Sequence, residues 1–391
     1  MQWKEKKMNY QIDKKRRMDD TKLLWHLPRI YDRYVLKKRV APIHIDMGIA
    51  KFCQIACVYC YGFYQNPKPI FIQREPLLET MRLAPQIGIK SIGFIGDGEP
   101  TCNPHVWEAL RVGKENDLDL SISTSGVIVD SEERSRIILE NCIWMRFCLS
   151  AGTREGYKKI HRKDYFERLK ENIKRTVEVR DKLGLKCEVG LQAVFVPTIM
   201  VNEMIEESKL AIELGVDYLV IKQCSLPDSG ESGMINFDVD YYDRSEVKEA
   251  LQKCQEMSNA HTEIIPKWNL IMQKGRKSYE FCPSIALISE MSGNGDWFPC
   301  GYMFGDKPQF QEYKFGNIHE QSIKEICESE RYWRIIEKME NEFDVHKVCR
   351  GCCRQDKCNE WIHNYRQLSL WGKERLSELM PPYEPKGVNF I

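Results

Sequence analysis

From Ile43 onward, one unit recurs along the chain: a short apolar or alternating run, a few turn residues, then a longer amphipathic run. Residues 43–49 alternate with the period of a strand, and 75–87 carry the spacing of a helix. The same pair follows as strand 91–95 with helix 104–116, and strand 118–123 with helix 131–140. Strand 144–149 leads to a long amphipathic helix over 165–183, which Gly184 stops. A strongly apolar strand over 187–196 follows, then a helix over 202–214 with Asn202 as its cap, and a sixth strand at 218–221. Six strands alternating with helices predict an α/β fold: a parallel, partial (β/α)6 barrel with right-handed crossovers.

The period changes after Cys224. Residues 225–236 are rich in Ser, Gly and Asp and read as a hinge. A helix over 240–258 and a strand near 263–268 are expected to bridge to a small C-terminal α+β domain. There, 286–289 and 296–298 flank Ser292-Gly293-Asn294-Gly295, a hairpin pattern. Gly316-Asn317-Ile318 then introduces a helix near 320–340. The expected divisions are a basic extension (1–42), the barrel (43–225), a linker (226–280), the small domain (281–365) and a tail (366–391).

Composition narrows the class. Of 391 residues, 42% are apolar and 29% charged, the balance of a globular enzyme. No run reaches the length of a membrane span, and the N-terminus lacks a secretory apolar segment, so a cytoplasmic protein is expected. The net charge is only +1, but residues 1–40 hold thirteen Lys/Arg against five Asp/Glu. That arm suits either a solvated helical lead-in or a contact with an anionic partner.

The sixteen cysteines carry the chemistry. Without a secretory signal, clustered cysteines point to metal or cluster binding rather than disulfides. Cys53, Cys57 and Cys60 fall within eight residues, with gaps of three and two. Three thiolates cannot complete a tetrahedral site, but they can hold three irons of a [4Fe–4S] cubane and leave the fourth open to a chelating ligand. Reduced core cysteines, or a zinc site borrowing a fourth ligand, remain alternatives.

The spacing, with Tyr59 before the last cysteine, resembles the signature of the radical S-adenosylmethionine (SAM) superfamily. The resemblance implies that Cys53, Cys57 and Cys60 ligate a cluster whose open iron binds SAM, with a flavodoxin- or ferredoxin-type protein as electron donor. Gly96-Asp97-Gly98-Glu99-Pro100 resembles the turn that receives the SAM amino group, so Gly96, Gly98 and Glu99 become cofactor contacts. Asp97 departs from the usual glycine pair. Ser123, Ser125 and Ser150, at strand ends, are further SAM-side candidates by the same resemblance. Val194, Arg162, Lys222, Gln223 and Cys224 are weighed as substrate- or adenine-side residues, and Tyr61, Phe63 and Tyr64 as a shield for the cluster.

The C-terminal cysteines resemble the SPASM/twitch extension that follows such barrels. Cys282 precedes the hairpin, Cys300 follows it, and Cys349-x-x-Cys352 comes late. These four are the implied ligands of one auxiliary [4Fe–4S] cluster, with Cys358 as a substitute. No cysteine follows Cys358, which leaves too few in order for two auxiliary clusters. A zinc ribbon is the alternative from spacing alone. An auxiliary cluster favours net oxidation, so the leading expectation is an oxidoreductase acting on a small sugar- or aminocyclitol-like metabolite. A peptide or protein maturase is the second reading. A zinc-stabilised nucleic-acid-binding module is the third, but it leaves the Cys53 loop unexplained.

Overall fold

A computed structural model describes residues 20–60, 69–197, 200–224, 239–273, 276–305, 308–349, 353–376 and 384–391. Among them, β1 (His44–Met47), β2 (Ser91–Phe94), β3 (Asp119–Thr124), β4 (Trp144–Cys148), β5 (Glu188–Phe195), β6 (Tyr218–Gln223) and β7 (Glu263–Pro266) pair parallel in sequence order. Parallel neighbours need long return connections. These contain α2 (Arg74–Gln86), α3 (Val106–Glu115), α4 (Glu132–Asn141), α5 (Arg154–His161), α6 (Phe166–Leu183), α7 (Met200–Glu213) and α8 (Ser245–Glu256), while α1 (Leu27–Tyr34) precedes β1. The expected α/β partial barrel is present. Residues 263–266, however, lie on β6 as a seventh parallel strand instead of bridging to another domain.

Strand alternation separates two surfaces. Ile45, Met47, Ile92, Phe94, Leu120, Ile122, Met145, Phe147, Leu191 and Ile221 are sealed in the core. The other parity is polar: His44, Asp46, Ser91, Ser121, Ser123, Arg146, Cys148, Gln192 and Lys222 share the inward face.

The hairpin forms as expected from β8 (Ile288–Met291) and β9 (Asp296–Phe298), with β10 (Gly316–Asn317) beside β9. It is not a detached unit. β8 runs parallel to β1, with His44 opposite Ile288 and Asp46 opposite Glu290, so the ten strands among the described residues make one sheet. The single helix expected over 320–340 is two, α9 (Ile323–Glu328) and α10 (Glu330–Asn341). Ser329 ends the first and caps the second by accepting the Tyr332 amide at 3.1 Å. α7 begins before Asn202, which therefore lies in the first turn and is not its cap. α11 (Asp356–Gln367) follows the late cysteines. The expected hinge over 225–236 lies outside the described residues, as do Tyr61, Phe63 and Tyr64. No helix among those described is long and apolar enough to cross a membrane.

The described part of the basic extension is built into the fold. Lys22 donates to the Gly387 carbonyl at 2.9 Å, and Arg29 to those of Ala41 (3.1 Å) and Gly88 (2.7 Å). Residues 384–391 cross the base of the barrel, where Phe390 meets His44 and Trp144 edge-on at 5.4 Å each. Arg33 forms a two-pronged pair with Glu340 of α10 at 2.8 and 2.6 Å, both side chains under a tenth exposed. Arg33→Met strands the Glu340 carboxylate and should cost about 3–5 kcal/mol in anaerobic denaturant unfolding. Arg33→Met with Glu340→Leu should recover most of that loss; a double variant as weak as the single one would contradict the pairing argument.

Candidate active site

The loop after β1 carries Cys53, Cys57 and Cys60, closed by a turn in which the Cys60 amide donates to the Cys57 carbonyl at 3.0 Å. Burial pushes the Cys57 thiol far up, and Cys60 and Cys53 push it further, so the three thiols crowd one another. The Cys57 sulfur lies 2.9 Å from His161 Nδ1 at the end of α5, and His161 Nε2 lies 2.6 Å from the Leu149 carbonyl. Iron would supply the positive charge that lets such buried thiols ionise.

The turn over 96–100 abuts this loop. A side chain at Gly98 would fall 2.2 Å from the Ala50 carbonyl oxygen, and one at Gly96 would fall 2.2 Å from Gly48. Both glycines are therefore needed so that the turn can press against the chain feeding the cysteine loop. Glu99, 3% exposed, accepts from the Thr101 amide (3.1 Å) and hydroxyl (2.6 Å), the Thr124 hydroxyl (2.5 Å) and the Ser125 amide (2.6 Å). Its carboxylate clamps the ends of β2 and β3 together. Asp97, the departure from the glycine pair, accepts from the Ser292 hydroxyl at 2.6 Å and the Gly293 amide at 2.9 Å. It thus fastens the turn to the β8–β9 hairpin.

Of the remaining candidates, Tyr59 meets Ser150 and Ser125 meets Gln54 of the cysteine loop, while Gln223 and Arg162 point away from them. Tyr59 Oη is 3.0 Å from Ser150 Oγ, and Ser150 also accepts the Val194 amide at 3.1 Å. Ser150 has φ of +52°, a left-handed conformation uncommon for serine, while Thr153 is the residue that caps α5. The Ser125 hydroxyl accepts from Gln54 at 2.6 Å, and Ser123 Oγ is 3.4 Å from Cys148. Lys222 faces inward with Val194, whereas Gln223 has the opposite parity. Cys224 is buried with its amide bonded to Tyr242, and Arg162 is exposed at the end of α5. Arg146 and Cys148 were missed by sequence reasoning. The signal was a charged and a polar residue at the inward parity of Trp144-Met145-Arg146-Phe147-Cys148.

A second group of thiols gathers beyond β8. Burial pushes Cys353 far up, after which Asp356 and then Cys282, Cys349 and Cys300 add to it. Cys282 is pushed to about 12 by burial, then by Cys349. Asn359 Nδ2 donates to the Cys282 sulfur at 3.3 Å, and the Gln355 amide to that of Cys353 at 3.3 Å. Cys352 lies outside the described residues, and Cys353, which the spacing pattern passed over, joins Cys282, Cys300 and Cys349. Cys358 packs elsewhere, with Leu23, Leu27, Ile30 and Ile362. No three His, Cys, Asp or Glu side chains among the described residues close on a single-ion point.

A radical SAM superfamily model matches residues 47–206, and a SPASM iron–sulfur cluster-binding domain model matches 289–353. The cofactor-modifying protein of a tungsten-containing aldehyde ferredoxin oxidoreductase, from Pyrococcus furiosus, is 22% identical over 359 residues, 85% of this chain and 92% of that one. The mycofactocin maturase MftC of Mycobacterium ulcerans is 24% identical over 115 residues, 29% of this chain and 31% of its own. Streptococcus suis SuiB bound to S-adenosylmethionine aligns at TM-score 0.61 and 16% identity, covering 93% of this chain and 81% of SuiB. The anSMEcpe protein bound to AdoMet and the Cp18Cys peptide aligns at TM-score 0.54 and 18% identity, covering 86% and 98%. Both share the fold.

Glu99→Gln replaces one acceptor oxygen of the clamp with a donor facing donors. On reconstituted protein, SAM affinity by equilibrium dialysis should fall at least about tenfold, the equivalent of about 1.4 kcal/mol. Unchanged affinity would show that the clamp does not shape the SAM site.

Proposed function

Because the chain belongs to the radical SAM superfamily and carries a SPASM domain, we propose that it is an oxidoreductase that takes a hydrogen atom from a small polar metabolite inside the barrel. Its cofactors are a [4Fe–4S] cluster with SAM, and auxiliary iron–sulfur binding in the SPASM domain. In this reading Cys53, Cys57 and Cys60 hold the SAM-binding cluster. Cys282, Cys300 and Cys349, with Cys353 or Cys352, hold one auxiliary cluster. When bound, these groups supply reductive cleavage of SAM to methionine and a deoxyadenosyl radical, and an acceptor for the electron that the substrate loses.

The chain's own residues define the chamber. Glu99 holds the turn that would receive the SAM amino group, and Tyr59, Ser123, Ser125 and Ser150 would border the rest of the cofactor. Asp97 ties that turn to the hairpin, so the two cysteine groups are held relative to each other. The observation that carries the reading is the joint between β1 and β8, which ties the strand feeding the Cys53–Cys60 loop to the hairpin that lies between Cys282 and Cys300. Near-complete alignment with a protein named as cofactor-modifying supports a small-molecule substrate. A peptide or protein substrate is the second reading, favoured by the shorter match to a maturase. A flavodoxin- or ferredoxin-type donor is the proposed source of electrons.

Anaerobic reconstitution should yield a brown protein with about eight irons per chain, falling to about four in Cys282→Ala/Cys349→Ala. With reductant, the wild type should release deoxyadenosine from SAM and Cys57→Ala should release none. Zinc in place of iron, or release undiminished by Cys57→Ala, would overturn the proposal.

A further inference from the structure

β4, β5 and β6 turn a cationic surface into the barrel. On β4, Met145 and Phe147 are sealed, while Arg146 and Cys148 stay partly accessible. Gln192 is the single partly accessible residue of β5, and Lys222 that of β6. Accessibility in the middle of otherwise buried strands marks a hollow within the barrel. Register puts Arg146 opposite Gly190, Cys148 opposite Gln192 and Lys222 opposite Val194, all on one face. Arg146 is held in place: its guanidinium lies 4.4 Å from the Trp144 ring and 5.5 Å from the Tyr218 ring, and Nε donates to Tyr218 Oη at 3.2 Å. Gln192 Nε2 donates towards Cys148 Sγ at 3.8 Å, beside Ser123.

Among the described residues, no carboxylate pairs with Arg146 or Lys222. Nearby barrel acids are committed elsewhere: Glu99 to its clamp, Asp97 to the hairpin, and Asp46 to His44 (3.0 Å) and Arg354. Glu188, on the same face, lies 3.5 Å from Lys386. Two inward-facing, partly buried cations that no described carboxylate balances favour the arrival of an anion. A planar guanidinium and a mobile ammonium are the usual pair for carboxylate or phosphate oxygens.

We propose that Arg146 and Lys222, with the Gln192 amide, bind an anionic oxygen group of the substrate, a carboxylate or a phosphate. This rests on the barrel interior being the reaction chamber, as in the preceding subsection. Ser123, proposed on the SAM side, lies opposite Arg146 in register, so the anion would anchor the substrate from the β4–β6 wall and turn its remainder towards the cofactor.

The test uses the full reconstituted chain with SAM bound. Inorganic phosphate and acetate are titrated against sodium chloride at equal ionic strength, and thermal unfolding is followed. At least one anion should raise the wild-type melting temperature beyond chloride. Arg146→Gln and Lys222→Met should each abolish that rise, and Arg146→Lys should retain part of it. SAM affinity, measured in parallel, should change less than threefold. Absence of any wild-type shift, equal shifts in both charge-removing variants, or a tenfold loss of SAM affinity would overturn the proposal, the last by assigning the cations to the carboxylate of SAM. Separately, small-molecule cell extract is split on an anion exchanger. The fraction that stimulates deoxyadenosine release should be retained on the column, and stimulation confined to the flow-through would also overturn it. Loss of all deoxyadenosine release in the wild type would instead count against the parent reading, since the anion titration does not depend on turnover.

Discussion

The structure depends on one strand being paired on both edges. β1 hydrogen-bonds in parallel to β2 on one side and to β8 on the other. A barrel opened at β1 would leave an edge of unpaired amides and carbonyls beside its most reactive loop. The SPASM hairpin closes that edge. A loop that must present three thiols in fixed geometry therefore emerges from a strand that cannot slip without breaking two ladders.

The contacts above β1 reinforce the same joint. Ala50 lies where Gly98 approaches from the turn and Gly293 from the hairpin, each so close that a methyl group would collide with backbone. Asp97 spans the same gap with two hydrogen bonds. What looks in the sequence like a damaged glycine pair is a link between the Gly96–Pro100 turn and the β8–β9 hairpin. Such links restrict how far two redox sites can drift apart, which matters if an electron is to pass from a substrate held between them.

The strands and helices of the barrel were readable because their periods are local. Met145 and Phe147 alternate with Arg146 and Cys148 whatever the tertiary context, and α6 follows an unbroken amphipathic stripe to Gly184. The joint between β1 and β8 was not readable, because nothing local distinguishes a hairpin strand that pairs with its own partner alone from one that also joins a distant sheet. The split between α9 and α10 was missed because Ser329 sits in a continuous helical pattern and acts only through its cap. Cys353 was passed over because a spacing rule favours Cys352, whereas proximity to Cys282, Cys300 and Cys349 is a property of the fold. Lys222 was already a substrate-side candidate, but Arg146 went unnoticed for a related reason: a lone arginine in an alternating strand reads as solvent-facing until the barrel closes around it.

The most direct test of the whole account is a crystal structure of the anaerobically reconstituted chain with SAM, with iron located by anomalous scattering. The account predicts two cubane-sized iron peaks on either side of the β1–β8 joint. The first should be ligated by Cys53, Cys57 and Cys60 alone, with SAM on its fourth iron. The second should lie among Cys282, Cys300, Cys349 and one of Cys352 or Cys353. A fourth protein ligand on the first cluster, or iron at only one of the two places, would contradict it.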